Sequence, residues 1–148
     1  MMDIVVYIIA VLVLLVLGTM AYVRLAPTDI ARWHQLEQVD GPSDLAQAGG
    51  FRAVRRITAD PVDVLAAADR IATATPRTTK VAGAVDDGMM TYQTRSLIWG
   101  FPDHTTVAVQ GDLLVIYGRL RFGGSDMGVN RARVQDWLIQ LGPLTDPR

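Results

Sequence analysis

The stretch TTVAVQGDLLVIYGRLRF, residues 105–122, decides the fold. Thr105 to Gln110 is strand-like, Leu113 to Phe122 is a β-branched and aromatic run, and Gly111-Asp112 turns the chain between them. Strands joined so tightly run antiparallel. Upstream, Gly100-Phe101-Pro102-Asp103 marks a break, Met89 to Ile98 reads as a strand, and Asp86-Asp87-Gly88 is a hairpin turn whose glycine accepts positive φ. Thr78 to Ala84 is its partner, and Phe51 to Thr58 alternates as a further strand. Asp60-Pro61 opens a helix that carries Val62, Leu65, Ala66 and Ile71 and stops before Pro76. Downstream of Gly123-Gly124-Ser125, Met127 to Leu141 reads as a helix with an apolar stripe of Val129, Val134, Trp137, Leu138 and Leu141, closed by Gly142-Pro143. The order β-α-β-β-β-β-α over residues 51–142 predicts an α+β domain: an antiparallel sheet with both helices on one face, and a C-terminal tail over 143–148.

The other strong signal lies at the N-terminus. Ile4 to Val23 contains no charged residue and ends at Arg24, a length of about 30 Å as a helix, which matches a bilayer's hydrocarbon core. A cleaved signal peptide wants a basic start, a shorter apolar core and a small-residue cleavage site; Met1-Met2-Asp3 carries no basic residue and no such site follows. The expectation is a retained transmembrane anchor over residues 1–24, with Ile4 and Tyr7 near one end and Tyr22 at the other, where amphipathic rings favour the interface. Ala10, Leu14, Gly18 and Tyr22 share one face, open to a partner helix or to lipid, without forming a GxxxG motif. Leu25 to Gly50, with Pro27, Pro42 and Gly49-Gly50, reads as a juxtamembrane tether in which Trp33 docks on the domain.

Composition narrows the function classes. Thirteen arginines and the single Lys80 stand against fifteen acidic residues, a net charge of -1. Nucleic acid binding needs a clear basic excess, so it is not expected. There is no cysteine, and His34 and His104 are the only histidines, too few and too far apart in sequence for a zinc site. Asp103 and His104, adjacent in a strand, point to opposite faces and cannot form a dyad. Ser96 and Ser125 lack a nucleophile-elbow setting, and no phosphate loop or dinucleotide fingerprint is present. No cofactor and no catalysis are expected.

Four segments together carry a resemblance: Thr75-Pro76-Arg77, Arg95-Ser96 leading to Gly100-Phe101-Pro102-Asp103, Arg119-Leu120-Arg121-Phe122-Gly123, and Ser125-Asp126-Met127-Gly128-Val129-Asn130 with Arg133. The pattern is similar to the domain-of-unknown-function 1499 family, from about Val23 to Leu141, and G-x-x-D-x-G-x-N-x-x-R from Gly123 to Arg133 is its most specific part. The resemblance implies a small envelope domain held by a helix or a lipid. It also favours a periplasmic domain on the bacterial inner membrane, against Arg24 and Arg32, which taken alone place the domain in the cytoplasm. The family's polar R-S-x-S-R pattern is replaced here by Tyr117, Gly118, Arg119, Leu120 and Arg121, so most of that polar patch is lost.

Asp126, Asn130 and Arg133 are the leading site candidates. One reading joins Arg133 to Arg95 and Arg121 as a basic cluster for an anionic group near a helix N-terminus. The other makes Asp126 a helix cap, Gly128 a turn residue and Arg133 the ion-pair partner of Asp126. The expected function is a non-catalytic single-pass membrane protein, an accessory subunit or assembly factor of a larger inner-membrane complex, respiratory or photosynthetic. The alternative is a membrane-tethered module for a small apolar or lipid-like ligand, held in a pocket between sheet and helices.

Overall fold

The computed structural model describes residues 2–147. Helix α1 (Met2–Leu25) leads the chain and is long and apolar enough to cross a membrane. Its one mid-chain hydroxyl, Thr19, donates back to the Leu15 carbonyl at 2.8 Å, so no polar group there is left open. A single turn, α2 (Ile30–Trp33), follows, capped by the Asp29 carboxylate.

The domain is α+β, as the hairpin reading predicts. Six antiparallel strands are β1 (Ser43–Gln47), β2 (Gly50–Arg56), β3 (Thr78–Ala84), β4 (Met89–Arg95), β5 (Pro102–Gln110) and β6 (Leu113–Leu120), in the spatial order β1-β2-β6-β5-β4-β3. Val107 opposes Ile116 across the decisive hairpin, and Gly111 makes the turn with φ of 64°. Helices α3 (Pro61–Ala74) and α4 (Val129–Leu141) pack on one face. Asp60 caps α3 by accepting from the Val62 amide at 2.9 Å, and Pro61 fills the first turn.

The core lies between that face and the helices. Phe51, Ala53, Met90, Tyr92, Val107, Leu114 and Ile116 meet Val64, Leu65, Ala68, Val134, Trp137 and Leu141. Tyr92 and Trp137 pack edge to face at 5.8 Å, and the indole donates to the Thr75 hydroxyl, so the largest buried side chain brings no orphaned polar group with it. Val129, read as part of the α4 stripe, stands exposed instead, because the helix begins at Val129 itself rather than Met127.

Two features differ from the sequence reading. Residues 25–50, expected as a tether, lie along the opposite face of the sheet and contribute strand β1, one more than the pattern predicted. Trp33, Leu36 and Val39 cover Val54, Leu113, Val115 and His104 there. The tail after α4 is also tied down: Thr145 bridges Ile57, and the Asp146 amide donates to the Arg56 carbonyl. The sheet is therefore covered on both faces, by helices on one and by the segment after α1 on the other.

Candidate functional site

Alternation along the strands sorts the candidate residues onto two faces. On the helix side, Asp103 of β5 sits beneath the first turn of α4. Asp126 caps that turn, accepting from the Gly128 amide at 3.0 Å and the Asn130 amide at 2.9 Å, while Gly128 takes φ of 82°. Asn130, fully buried, donates to Asp103 at 3.1 Å and accepts from Arg133 at 2.7 Å. The Arg133 guanidinium lies 3.6 Å from the same Asp103 oxygen, so its ion-pair partner is Asp103 and not Asp126. Gly118 leaves room for this network: a Cβ there would stand 2.8 Å from the Asn130 Oδ1.

Electrostatics follow from burial. It raises the Asp103 carboxyl above its ordinary range, against the pull of Arg133, and lowers Arg133. For Asp126, burial pushes upward, but the amide and side chain of Asn130 and the Gly128 amide outweigh it and hold the group below the usual range.

Beside this network opens a pocket of about 450 Å³. Its walls are Trp99, Phe101, Leu120 and Phe122, its floor is Asp103, Asp126 and Arg133, and exposed Met127 and Val129 stand at its rim. The aromatic rings form a chain from Trp99 through Phe101 to Phe122, each step 6.2 Å, and Phe122 meets Tyr22 of α1 at 6.3 Å. The pocket therefore adjoins the C-terminal end of α1.

Arg95 and Arg121 project from the other face, so the sheet separates them from Arg133 and the expected three-arginine cluster is not formed. Their partners are mostly backbone carbonyls. Arg121 donates to Pro27 at 2.6 Å and to the Thr28 hydroxyl at 2.9 Å; Arg95 donates to Gly100 at 2.9 Å and to Arg24 at 3.3 Å. Arg119 binds the Trp33 carbonyl and the Thr106 hydroxyl. Trp33 stacks on His104 at 4.4 Å, and His34 reaches Thr91 at 2.9 Å. Burial first, then the charges of Arg121, Arg119 and Arg95, push the His104 pKa down to about 4. Asp103 and His104 do face opposite ways, as their spacing requires.

Of the α1 candidates, Ile4, Tyr7, Leu14 and Tyr22 are exposed, and nothing lies within 4 Å of a Cβ at Gly18. Among the described residues, no three His, Cys, Asp or Glu side chains converge as metal ligands would. Arg77, Arg119 and Phe122 enter the sequence reading only as parts of the family pattern, with no role at a site, and the loop Leu97-Ile98-Trp99 was missed. A signal existed for the loop: three consecutive large apolar residues before a glycine do not fit a half-buried strand.

Residues 38–141 match the family model described as "Protein of unknown function (DUF1499)". No curated protein matches the chain.

Proposed function

This chain belongs to the DUF1499 family, and on that premise we propose that it is a non-catalytic, membrane-held binding module whose pocket takes the apolar part of a lipid-like molecule with an uncharged head. The observation that carries this reading is the pocket's position. Its aromatic wall continues, ring by ring, into Tyr22 at the end of an apolar helix, so a molecule leaving the bilayer would meet the pocket without crossing water. Its walls suit a hydrocarbon tail. Its floor holds two carboxylates against one guanidinium, and Arg133 is already engaged by Asn130 and Asp103, which disfavours a phosphate or carboxylate head.

In this reading α1 crosses the bacterial inner membrane once and the domain works on the periplasmic side. An alkaline phosphatase fusion at Arg148 is expected to be active; an inactive one, with a fluorescent cytoplasmic reporter at the same position, reverses the sidedness. For the ligand, the emission of Trp99 is the probe. Dioleoylglycerol should shift it in the full-length protein and oleate should not, and Phe122→Glu should abolish the response. Equal responses to both lipids, or an unchanged response in the variant, would defeat the reading.

A second reading, an accessory subunit or assembly factor of a larger inner-membrane complex, draws support from the α1 surface. Ala10 and Gly18 leave a shallow face on which another helix could rest closely. A photo-crosslinker at Gly18 should then trap one partner in native membranes; adducts to lipid alone count against it.

A further inference from the structure

We propose that the cleft between Arg24, Arg77 and Arg95 holds the phosphate of an anionic lipid headgroup, with the loop Leu97-Ile98-Trp99 seated in the same leaflet. This rests on the reading of α1 as a membrane span, and it concerns a different cavity from the aromatic pocket, the two meeting at Ser96 and the loop that carries Trp99.

The cleft has a volume of about 620 Å³ and lies between the turn before β3 and the loop after β4. No carboxylate among the described residues lines it. Among the described residues, none of its three guanidiniums is in an ion pair, whereas Arg52, Arg55, Arg56 and Arg133 each have an acidic partner. The three are linked through carbonyls instead: Arg77 donates to Arg95 at 3.0 Å, Arg95 to Arg24 at 3.3 Å, and Arg24 to Ile98 at 3.1 Å. Carbonyl acceptors orient a guanidinium without cancelling its charge, so three positive charges face one cavity uncompensated. Phosphate oxygens suit such forks. Arg77 is held at φ of 58°, a left-handed conformation that a non-glycine residue adopts only where its surroundings fix it.

The depth of the cleft identifies the source of the phosphate. Arg24 is in the last turn of α1, and its bond to Ile98 fixes the loop at the level where the helix leaves the hydrocarbon. Leu97 and Ile98 are 74% and 70% exposed, and Leu25, next to Arg24 in the chain, is 81% exposed. Adjacent large apolar side chains facing water lose free energy that the acyl region would return. Tryptophan at such a depth is typical of a membrane interface. A headgroup in the leaflet surrounding α1 is thus already within reach of the three arginines, while a free anion would have to be drawn from solution.

The test uses the full-length chain. Native mass spectrometry in mild detergent should show phosphatidylglycerol retained in preference to phosphatidylcholine. Arg77→Gln should reduce that preference roughly tenfold, the loss expected for one charge-assisted contact, and Arg77→Lys should restore part of it. Arg24→Gln carries the same test should Arg77→Gln not fold. In vesicles, dibrominated phosphatidylglycerol should quench Trp99 but not the buried Trp33 and Trp137. Equal retention of the two lipids, or no effect of either glutamine variant, overturns the proposal. Binding of inorganic phosphate with no preference between the lipids assigns the cleft to a free anion and overturns the lipid assignment. Carbonate extraction separates the two readings: release of the full chain from vesicles refutes the span itself, while retention without lipid preference refutes only the headgroup site.

Discussion

At the scale of single residues, Asn130 is the point where sheet and helix are locked. It links Asp103 to Arg133 in a buried setting, and Gly118 makes the space for it. Asn130→Ala leaves Asp103 and Arg133 each short of a partner and should destabilise the domain by about 1–3 kcal/mol in urea unfolding. Gly118→Ala drives a methyl group into the Asn130 amide and should cost a comparable ~1–3 kcal/mol. Because both changes act on the same amide, the double variant should lose less than the sum of the two; strict additivity would show that Gly118 and Asn130 are not in contact. His104 gives a separate, pH-dependent expectation. Its native pKa is down to about 4, below the ordinary value of 6.5, so the buried ring stays neutral while the unfolded chain gains a proton. Stability should therefore fall as the pH drops from about 6.5 to about 4, by at most ~1.4 kcal/mol per pH unit, and this contribution should level off below that window. Melting temperatures of wild type and His104→Phe across this range test it, and parallel pH profiles would rule it out.

At the scale of elements, the segment after α1 behaves as a strap and not as a tether. From Ala26 to Val39 it is bonded to the outer face of the sheet by Arg121, Arg119, Thr106, Thr91 and Gln110, and Trp33 fills the gap over His104. Trp33→Ala should destabilise the domain by about 3 kcal/mol or more, and amide exchange should accelerate from residue 26 to 40 more than in α3 or α4. Uniform acceleration throughout would show that the strap has no stability of its own. The strap also explains what could be read beforehand. Strands 78–84 and 105–110 announce themselves because their alternation or their turn glycines have local causes. Ser-Asp-Leu-Ala-Gln of β1 carries no such pattern, since four of its five residues are exposed and only pairing with β2 makes it a strand. The outer face deceives in the same way. Thr91, Gln93, His104 and Thr106 are polar, so the face reads as solvated, although His34, Thr28 and the Trp33 carbonyl bond Thr91, Gln93 and Thr106 under cover and the Trp33 ring lies on His104. Asp126 and Gly128 were legible as cap and turn because capping is local chemistry. The partner of Arg133 was not, because Asp103 is thirty residues away and only the register of β5 brings it under α4.

At the scale of the whole molecule, a covered sheet changes where the folding unit begins. The helix-side core draws on residues from Phe51 to Leu144, which alone would favour a domain starting near Phe51. Such a fragment would expose Val54, Leu113 and Val115, now buried under Leu36 and Val39, and it would leave β2 as a bare sheet edge. It would also strand the guanidinium of Arg119 and the hydroxyl of Thr106 without the Trp33 carbonyl. A fragment from residue 26 keeps every one of these contacts and loses only α1, most of whose side chains touch nothing else in the chain. The exceptions lie in its last turns, where Val23 is buried, Tyr22 meets Phe122 and Arg24 bonds the Ile98 carbonyl, so a modest loss is expected even there. We therefore expect residues 26–148 to remain monomeric and to unfold in one cooperative step, with a melting temperature within several degrees of the full-length protein in detergent. Residues 51–148 should aggregate, or melt broadly and much earlier. Circular dichroism melting and size-exclusion chromatography of the two fragments decide the matter. A sharp, equally stable transition for residues 51–148 would mean that the strap is only laid on the sheet, and the coupling between α1 and the pocket on which the binding reading depends would go with it.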